Sequence, residues 1–312
     1  MTRLRRHVLA VVAALFALAV GIALGGGPLS YVSGDDGTDS PGDVSEQDGD
    51  GSDGPDEVPL PGDGAFADAF AGAAASRLYG GVLLGHPTAI VAMPGVDQGV
   101  VDAMVAQVPL AGGGLTGVFE VSAAAADRDE TSLVDSLSSQ LMTELDDPRI
   151  DPAATTYVRL GQLMSLAIAT PSKKGQGADD TVDRVRSSLE TGGLLTAPPG
   201  ARLAPLVLVL LPSSEDGESG SDLAAAAIYH GLTTGLRGNA AGVVLLGDTA
   251  SGEDGLLAEL REDDVVTSTL ATVDGGDTVI GQVTAMLAVI SALDGSVGAY
   301  GASGADGAVP LS

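Results

Sequence analysis

Beyond residue 65, short runs of apolar residues alternate with longer segments in which apolar positions recur at helical spacing. The runs lie at residues 88–93 (TAIVAM), 115–121 (LTGVFEV), 205–211 (PLVLVLL), 242–246 (GVVLL) and, more weakly, 265–273. A run of this length that is apolar at nearly every position is typical of a strand buried on both faces. The pattern therefore predicts a mostly parallel sheet.

The intervening segments predict helices. They cover residues 65–84, 96–108, 133–190 (with breaks at Pro148, Pro152 and Pro171), 222–236 and 278–293. In the first of them, Phe66, Phe70 and Leu78 lie along one face. Strands that alternate with helices favour an α/β fold. We therefore expect residues 65–312 to form a doubly wound, Rossmann-like domain.

The first 29 residues have the pattern of a basic lead and a membrane anchor. Arg3, Arg5 and Arg6 precede an uncharged apolar run, Val8–Leu24. As a helix this run spans roughly 26 Å, and the glycines after it extend the span toward the bilayer thickness. A cleaved signal peptide with an A-x-A site at Ala17–Ala19 is the alternative. The run stays apolar past that site, which favours a retained single-pass helix with a cytoplasmic N-terminus and an extracytoplasmic domain.

Residues 30–64 predict a disordered acidic linker. Between residues 34 and 64 the chain carries eleven carboxylates and no basic residue. Such a segment cannot bury enough apolar surface to offset its ordering entropy. Calcium binding by Asp48–Gly54 (DGDGSDG) is the sharper alternative, but position twelve of an EF-hand loop would be Pro59 instead of Glu.

Composition narrows the choice of partners. The formal net charge is −28, with 42 Asp and Glu against 14 Lys and Arg. A chain this acidic repels phosphate backbones, so nucleic acid is not expected as a partner. A saline habitat would also explain so many carboxylates beside only two lysines, Lys173 and Lys174. Cysteine is absent, which excludes disulfides and thiolate chemistry.

A search for catalytic motifs nominates no catalytic or cofactor-binding residue. Gly112, Gly114 and Gly117 match G-x-G-x-x-G, but they follow a predicted helix and open a predicted strand. A dinucleotide site needs the opposite order, so these glycines predict a helix C-cap and turn. Of the histidines, only His86 and His230 could serve a triad, and neither lies in a recognisable motif. The acidic turns at 127–130 and 263–264 are typical of solvated surface.

The residues that could bind Cu(I) do not form a recognisable metal site. Copper(I) favours sulfur and imidazole donors. His86 and Met93 flank the first predicted strand, some 20 Å apart at the usual rise per residue. The remaining methionines of the domain occupy apolar helix positions, where core packing is expected: Met104, Met142, Met164 and Met286. No metal ligand is predicted.

The chain nevertheless resembles the actinobacterial copper transporter MctB family over nearly its whole length. The opening HVLAVVAALFALAVGIALGGGPL (residues 7–29), the entry into the first strand RLYGGVLLGHPTAIVAMPG (77–95), the turn Thr272–Asp274, the helix GDTVIGQVTAMLAVISAL (276–293) and the final Gly298–Gly301 are all similar to that family. The family usually places a coiled-coil helix between anchor and domain. Here the acidic linker occupies that space.

This resemblance implies copper export or homeostasis at the cell envelope, with copper ions as partners by resemblance alone. Relatives are also linked to envelope assembly and division, which implies an alternative: a non-enzymatic module that binds an envelope protein or a second copy of itself. An enzyme is a third hypothesis. It would require a pocket at the loops Pro94–Gly95, Ser213–Ser214 and Gly247–Asp248, where parallel strands end.

Overall fold

The computed structural model describes residues 63–213 and 223–310. The predicted anchor Val8–Leu24 and almost all of the predicted linker lie outside these residues. Among the described residues, no helix has the length and apolar character to cross a membrane.

Seven strands form one sheet in the order β3-β2-β1-β4-β5-β6-β7. All neighbouring pairs are parallel except β2 and β3. The fold is therefore mixed α/β with a mostly parallel sheet. The strands are β1 (Thr88–Ala92), β2 (Leu115–Val121), β3 (Leu195–Thr196), β4 (Leu206–Leu210), β5 (Gly242–Leu246), β6 (Ala271–Val273) and β7 (Gly298–Tyr300).

Helices cover both faces of this sheet because alternate strand residues face opposite sides. Val207 and Val209 belong to one apolar cluster, whereas Leu206 and Leu208 belong to the other. The helices are α1 (Asp63–Tyr79), α2 (Gln98–Leu110), α3 (Ala123–Ala126), α4 (Thr131–Leu145), α5 (Thr156–Ile168), α6 (Asp180–Thr191), α7 (Leu223–Leu236), α8 (Thr249–Glu253), α9 (Leu256–Arg261), α10 (Asp264–Thr269) and α11 (Val279–Ala292).

The first layer of helices contains α1, α2 and α11, and the second contains α4, α5, α6 and α7. The continuous apolar runs of β4 and β5 are buried at every position. This confirms the prediction that both faces of these strands are covered.

The predicted fifth strand, residues 265–273, is only partly correct. Its first half forms α10, and only Ala271–Val273 forms a strand. Asp263 accepts hydrogen bonds from the amides of Val265 (2.8 Å) and Val266 (3.2 Å). This N-cap starts a helical turn in spite of the β-branched residues that follow, because it satisfies amides that a helix N-terminus leaves without partners.

Helix α1 presents the opposite face to the one its pattern indicates. Its buried face consists of Ala71, Ala75 and Tyr79. Phe66 and Phe70 are 75% and 67% exposed. The small residues Ala71 and Ala75 allow a close approach to α11, where the Ile280 amide donates to Asp68 Oδ1 (3.1 Å), and Tyr79 fills the core at the end of the helix. The large apolar side chains are left on the surface.

Candidate functional site

In doubly wound sheets, ligands bind outside the carboxyl ends of the strands, where the strand order reverses. Here the order reverses between β1 and β4. The loops that follow these two strands are hydrogen-bonded to each other. The Ser213 amide donates to the Gly95 carbonyl (3.0 Å), and the Asp97 amide donates to Ser213 Oγ (3.1 Å). The two loops are therefore tied to each other, and a cavity of about 450 Å³, lined by Pro94, Asp127 and Tyr229 among others, lies beside them. Ser214 lies outside the described residues.

The third predicted loop, Gly247–Asp248, is likewise held by internal hydrogen bonds. The Gly247 amide donates to the Val273 carbonyl (3.0 Å). The Asp248 carboxylate caps α8 through the Ser251 amide (2.7 Å). Asp277 accepts from both the amide and the hydroxyl of Thr249, at 2.8 Å each. These carboxylates fix the ends of helices and loops.

The most concentrated polar cluster of the carboxyl end lies beside β6. It consists of Asp274, Arg261 and Ser303, and we call it the β6 cluster. Asp274 is only 1% exposed. Its carboxylate accepts from Arg261 Nη1 (3.0 Å) and from the amides of Ala302 (2.6 Å) and Ser303 (3.0 Å). The Ser303 hydroxyl also contacts it.

Arg261 is equally well partnered. Its Nε donates to Thr272 Oγ1 (3.0 Å), and its Nη2 donates to the Tyr300 carbonyl (2.8 Å). Burial tends to raise the pKa of Asp274, but the hydrogen bonds from Ser303, Arg261 and the loop amides outweigh it and lower this pKa below its usual value. The carboxylate is thus ionised and its oxygens are occupied by protein donors.

Two cavities border the β6 cluster. One, of about 390 Å³, is lined by Arg261, Thr272 and Ser303 among others. The other, of about 280 Å³, is lined by Asp274, Thr278 and Ile280 among others. The charged groups between the two cavities already have partners in the protein. Their hydrogen bonds hold the loop after β7 against the sheet.

The two histidines of the described residues lie far apart in the fold. His86 precedes β1 at the amino end of the sheet, and its Nδ1 lies 2.9 Å from the Lys173 carbonyl. His230 lies on α7, with Nε2 3.1 Å from Asp263 Oδ1. Asp263 belongs to an acidic turn that we expected to be plain solvated surface. It instead caps α10 and contacts His230.

The sulfur donors are mostly in the core. Met93, Met104, Met164 and Met286 are buried, and Met142 packs against the second helical layer. The packing prediction is thus confirmed for the four helical methionines, Met104, Met142, Met164 and Met286. Among residues 63–213 and 223–310, no group of three or more His, Asp or Glu side chains is arranged to hold a metal ion.

The glycine motif takes the place that its order predicts. Gly112 follows the C-terminus of α2 with φ +78° and donates its amide to the Pro109 carbonyl (2.9 Å). Gly117 lies within β2, where a Cβ would come 2.3 Å from Pro198 Cγ. These glycines make a turn and a close packing contact.

Sequence reasoning missed the β6 cluster. Its members are up to 42 residues apart, as between Arg261 and Ser303. The Thr272–Asp274 turn and the Gly298–Gly301 segment stood out only as places of family resemblance. The structure brings these two segments together, since the Asp274 amide donates to the Tyr300 carbonyl (3.2 Å).

Comparison with known proteins gives one family. The family described as copper transport outer membrane protein, MctB, matches residues 1–310. No curated protein matches the chain.

Proposed function

Because the chain belongs to the MctB family of copper transport outer membrane proteins, we propose that it serves copper homeostasis at the cell envelope. The match over residues 1–310 carries this proposal, because it includes the N-terminal segment as well as the α/β fold. In this proposal Val8–Leu24 is a retained single-pass anchor, and residues 65–312 form an extracytoplasmic, Rossmann-like domain on an acidic tether.

The domain contributes without coordinating Cu(I) in a core site. The burial of Met104, Met164 and Met286 supports this part of the proposal, because a packed thioether has no free lone pair directed to a shared ion. Competition of the full chain against a chromogenic Cu(I) chelator tests it. We expect affinity no better than that of a single surface methionine, and tight stoichiometric binding would contradict it.

A deletion strain tests the copper function itself. We expect the strain to stop growing at a lower copper concentration than the parent, and the full chain to restore growth. A variant in which a cleavable signal peptide replaces residues 1–29 is the matched test of anchoring. Rescue by that variant would overturn the anchor, whereas equal copper tolerance of the parent and the deletion strain would overturn the copper function.

The domain is proposed to be non-enzymatic. The hydrogen bonds that join the β1 and β4 loops and the occupied oxygens of Asp274 support this, because both places have internal partners where an enzyme would hold substrate.

A second candidate function is an interaction module for an envelope or cell-division protein. The observation in its favour is the exposed pair Phe66 and Phe70, one helical turn apart on α1. The chain has only four phenylalanines. Large apolar side chains in such positions are typical anchors of protein interfaces. Because α1 starts where the acidic segment ends, the partner we expect is a protein in the same membrane.

Site-specific photo-crosslinking in intact cells distinguishes this candidate. A crosslinking residue at position 70 is expected to capture one membrane protein, and the same residue at position 133 should not. Leu133 is a suitable control because it is an exposed apolar residue of α4, in the other helical layer. Equal capture at both positions would argue against a specific face, and capture of the chain itself would indicate a homo-oligomer.

A further inference from the structure

We propose that the amino end of the sheet carries a binding cleft for the phosphate group of a ligand, formed by His86, Lys174 and Arg202. The cleft has a volume of about 510 Å³. Its lining also includes Thr116, Gly85 and Gly200, and no Asp or Glu is among its lining residues. The chain has 42 carboxylates and 14 Lys and Arg residues. The charged residues that line this cleft are nevertheless all basic, and this excess of basic groups calls for a physical explanation.

The cations of this cleft, Lys174 and Arg202, have no partner within the part of the chain that the structure describes. Among the described residues, four Lys and Arg side chains make no hydrogen bond or ion pair, and two of them are Lys174 and Arg202. The other two, Arg77 and Arg184, are exposed on α1 and α6. Other basic groups of the described chain face a carboxylate or a carbonyl, as Lys173 faces Asp294 at 3.3 Å and Arg237 donates to the Thr269 carbonyl at 3.2 Å.

The backbone that carries Lys174 is held firmly beside His86. The Gly175 amide donates to the Ser172 carbonyl (2.8 Å) and closes a turn. His86 Nδ1 lies 2.9 Å from the Lys173 carbonyl. Since a carbonyl can only accept, Nδ1 carries the proton, and Nε2 of the neutral ring is left as an acceptor. Gly175 approaches so closely that a Cβ there would lie 2.6 Å from Pro87 Cγ.

The wall that carries Arg202 is fixed from inside the domain. The buried guanidinium of Arg186 donates from Nη1 to the Ala201 carbonyl (2.7 Å) and from Nε to the Ala167 carbonyl (2.8 Å). On the other side, Leu203 and Gln176 exchange backbone hydrogen bonds of 2.8 and 3.1 Å. The two segments that carry the unpartnered cations are therefore joined to each other, which lowers the entropy cost of binding an anion between them.

Glycines keep the space between these walls open. Gly85 and Gly200 have φ of +81° and +71°, and a Cβ at either position would meet nothing within 4 Å. The positive φ explains why glycine is used, and the open space faces the basic side chains.

The chemistry of the lining favours a phosphate group. An Arg fork and a Lys point charge suit the several oxygens of a phosphate, and His86 Nε2 can accept from its P–O–H group. At physiological salt, charges beyond about 8 Å are largely screened. Carboxylates farther from the cleft than this therefore weaken the attraction inside it only slightly.

Line broadening of inorganic phosphate in ³¹P NMR spectra tests the proposal on the full chain in nonionic detergent. We expect broadening with the wild type and at least about tenfold weaker affinity for the double variant Lys174→Gln/Arg202→Gln, which loses two charge-assisted contacts. The matched control is Arg77→Gln/Arg184→Gln, which removes the same net charge from the other two unpartnered cations. The swap Lys174→Arg/Arg202→Lys keeps both positive charges and should retain binding. It shows whether the loss in the Gln variant comes from the missing charges or from misfolding.

A second arm distinguishes the source of the phosphate. Vesicles of phosphatidylglycerol, compared with vesicles of phosphatidylcholine, report on a lipid headgroup. Binding to the former that depends on Lys174 and Arg202 assigns the phosphate to a membrane lipid, whereas phosphate binding without vesicle binding assigns it to a soluble ligand. Equal loss in the control variant, or no response to either probe, overturns the proposal.

Discussion

The two ends of the sheet use charge in opposite ways. At the carboxyl end, Asp274 is buried, the side chain of Arg261 is 10% exposed, and both are surrounded by partners from the protein itself. At the amino end, Lys174 and Arg202 are exposed and have no partner among residues 63–213 and 223–310. A buried, saturated charge pair fixes a structure, whereas an exposed and unpartnered charge is available to a ligand. The comparison teaches that this chain uses charges at the carboxyl end of the sheet, the end where such folds usually bind ligands, to fasten its own loops.

The largest effect is expected from breaking the buried pair. Asp274→Ala leaves Arg261, which is only 10% exposed, without its anion and releases the amides of the loop after β7. Removing one partner of a buried pair costs about 3–5 kcal/mol of unfolding free energy. Urea denaturation measures the loss.

The control for this variant is an exposed pair at the amino end of the sheet. Asp294→Ala removes the partner of Lys173 in a pair whose side chains are 84% and 55% exposed. A surface pair contributes about 0–1 kcal/mol. Similar losses of unfolding free energy in both variants would show that the β6 cluster stabilises the fold no more than an exposed pair does.

The next largest effect is expected from glycine substitutions in the loop after β7, which test how closely this loop packs against Asp274. Gly301 and Gly307 have nearly the same φ, +112° and +113°, but a Cβ at Gly301 would lie 2.0 Å from Asp274 Oδ1 and a Cβ at Gly307 would meet nothing within 4 Å. Gly307→Ala therefore reports backbone strain alone, about 1 kcal/mol. Gly301→Ala adds the collision with the carboxylate and should cost about 3 kcal/mol. Thermal unfolding of the two variants separates the backbone strain from the collision with Asp274. Equal decreases in Tm would contradict the close contact between Gly301 and Asp274.

The pH dependence of stability gives a smaller effect. The folded-state pKa of Asp274 is lowered, so its stabilising contribution is complete above the unfolded value of about 3.9 and is lost as the pH falls through the folded value. Asp147, whose pKa is lowered mainly by its hydrogen bond with Arg149, acts in the same direction. Asp274→Asn should therefore flatten the acid limb of the stability curve below about pH 4. An unchanged limb would show that the acid sensitivity arises elsewhere.

The sheet could be predicted from the sequence because burial on both faces leaves a continuous apolar run. The runs of β4 and β5 show this within one residue at either end. Helix α10 could not be predicted in this way, because a single capping carboxylate, Asp263, outweighs the β-propensity of Val265 and Val266. The outward face of α1 was also missed, since periodicity gives a stripe of large residues but not the side that packs.

Neither site could be predicted from local pattern. Arg261, Asp274 and Ser303 meet only when β6, α9 and the loop after β7 are assembled. The cleft at the amino end likewise joins Lys174 and Arg202 through a backbone bridge between Gln176 and Leu203. Lys174 stood out by composition alone, as one of two lysines. Its lack of a carboxylate partner is a property of the folded chain.

The smallest effect completes the comparison. Lys174→Gln/Arg202→Gln removes two charges that make no internal hydrogen bond or ion pair among the described residues, so the unfolding free energy should change by less than about 0.5 kcal/mol. Urea denaturation without added phosphate measures this change, with Arg77→Gln/Arg184→Gln as the control of equal net charge. A loss above about 1 kcal/mol, absent from the control, would mean that the amino-end cations stabilise the fold as the β6 cluster does. The contrast between the two ends would then fail, because both would serve structure.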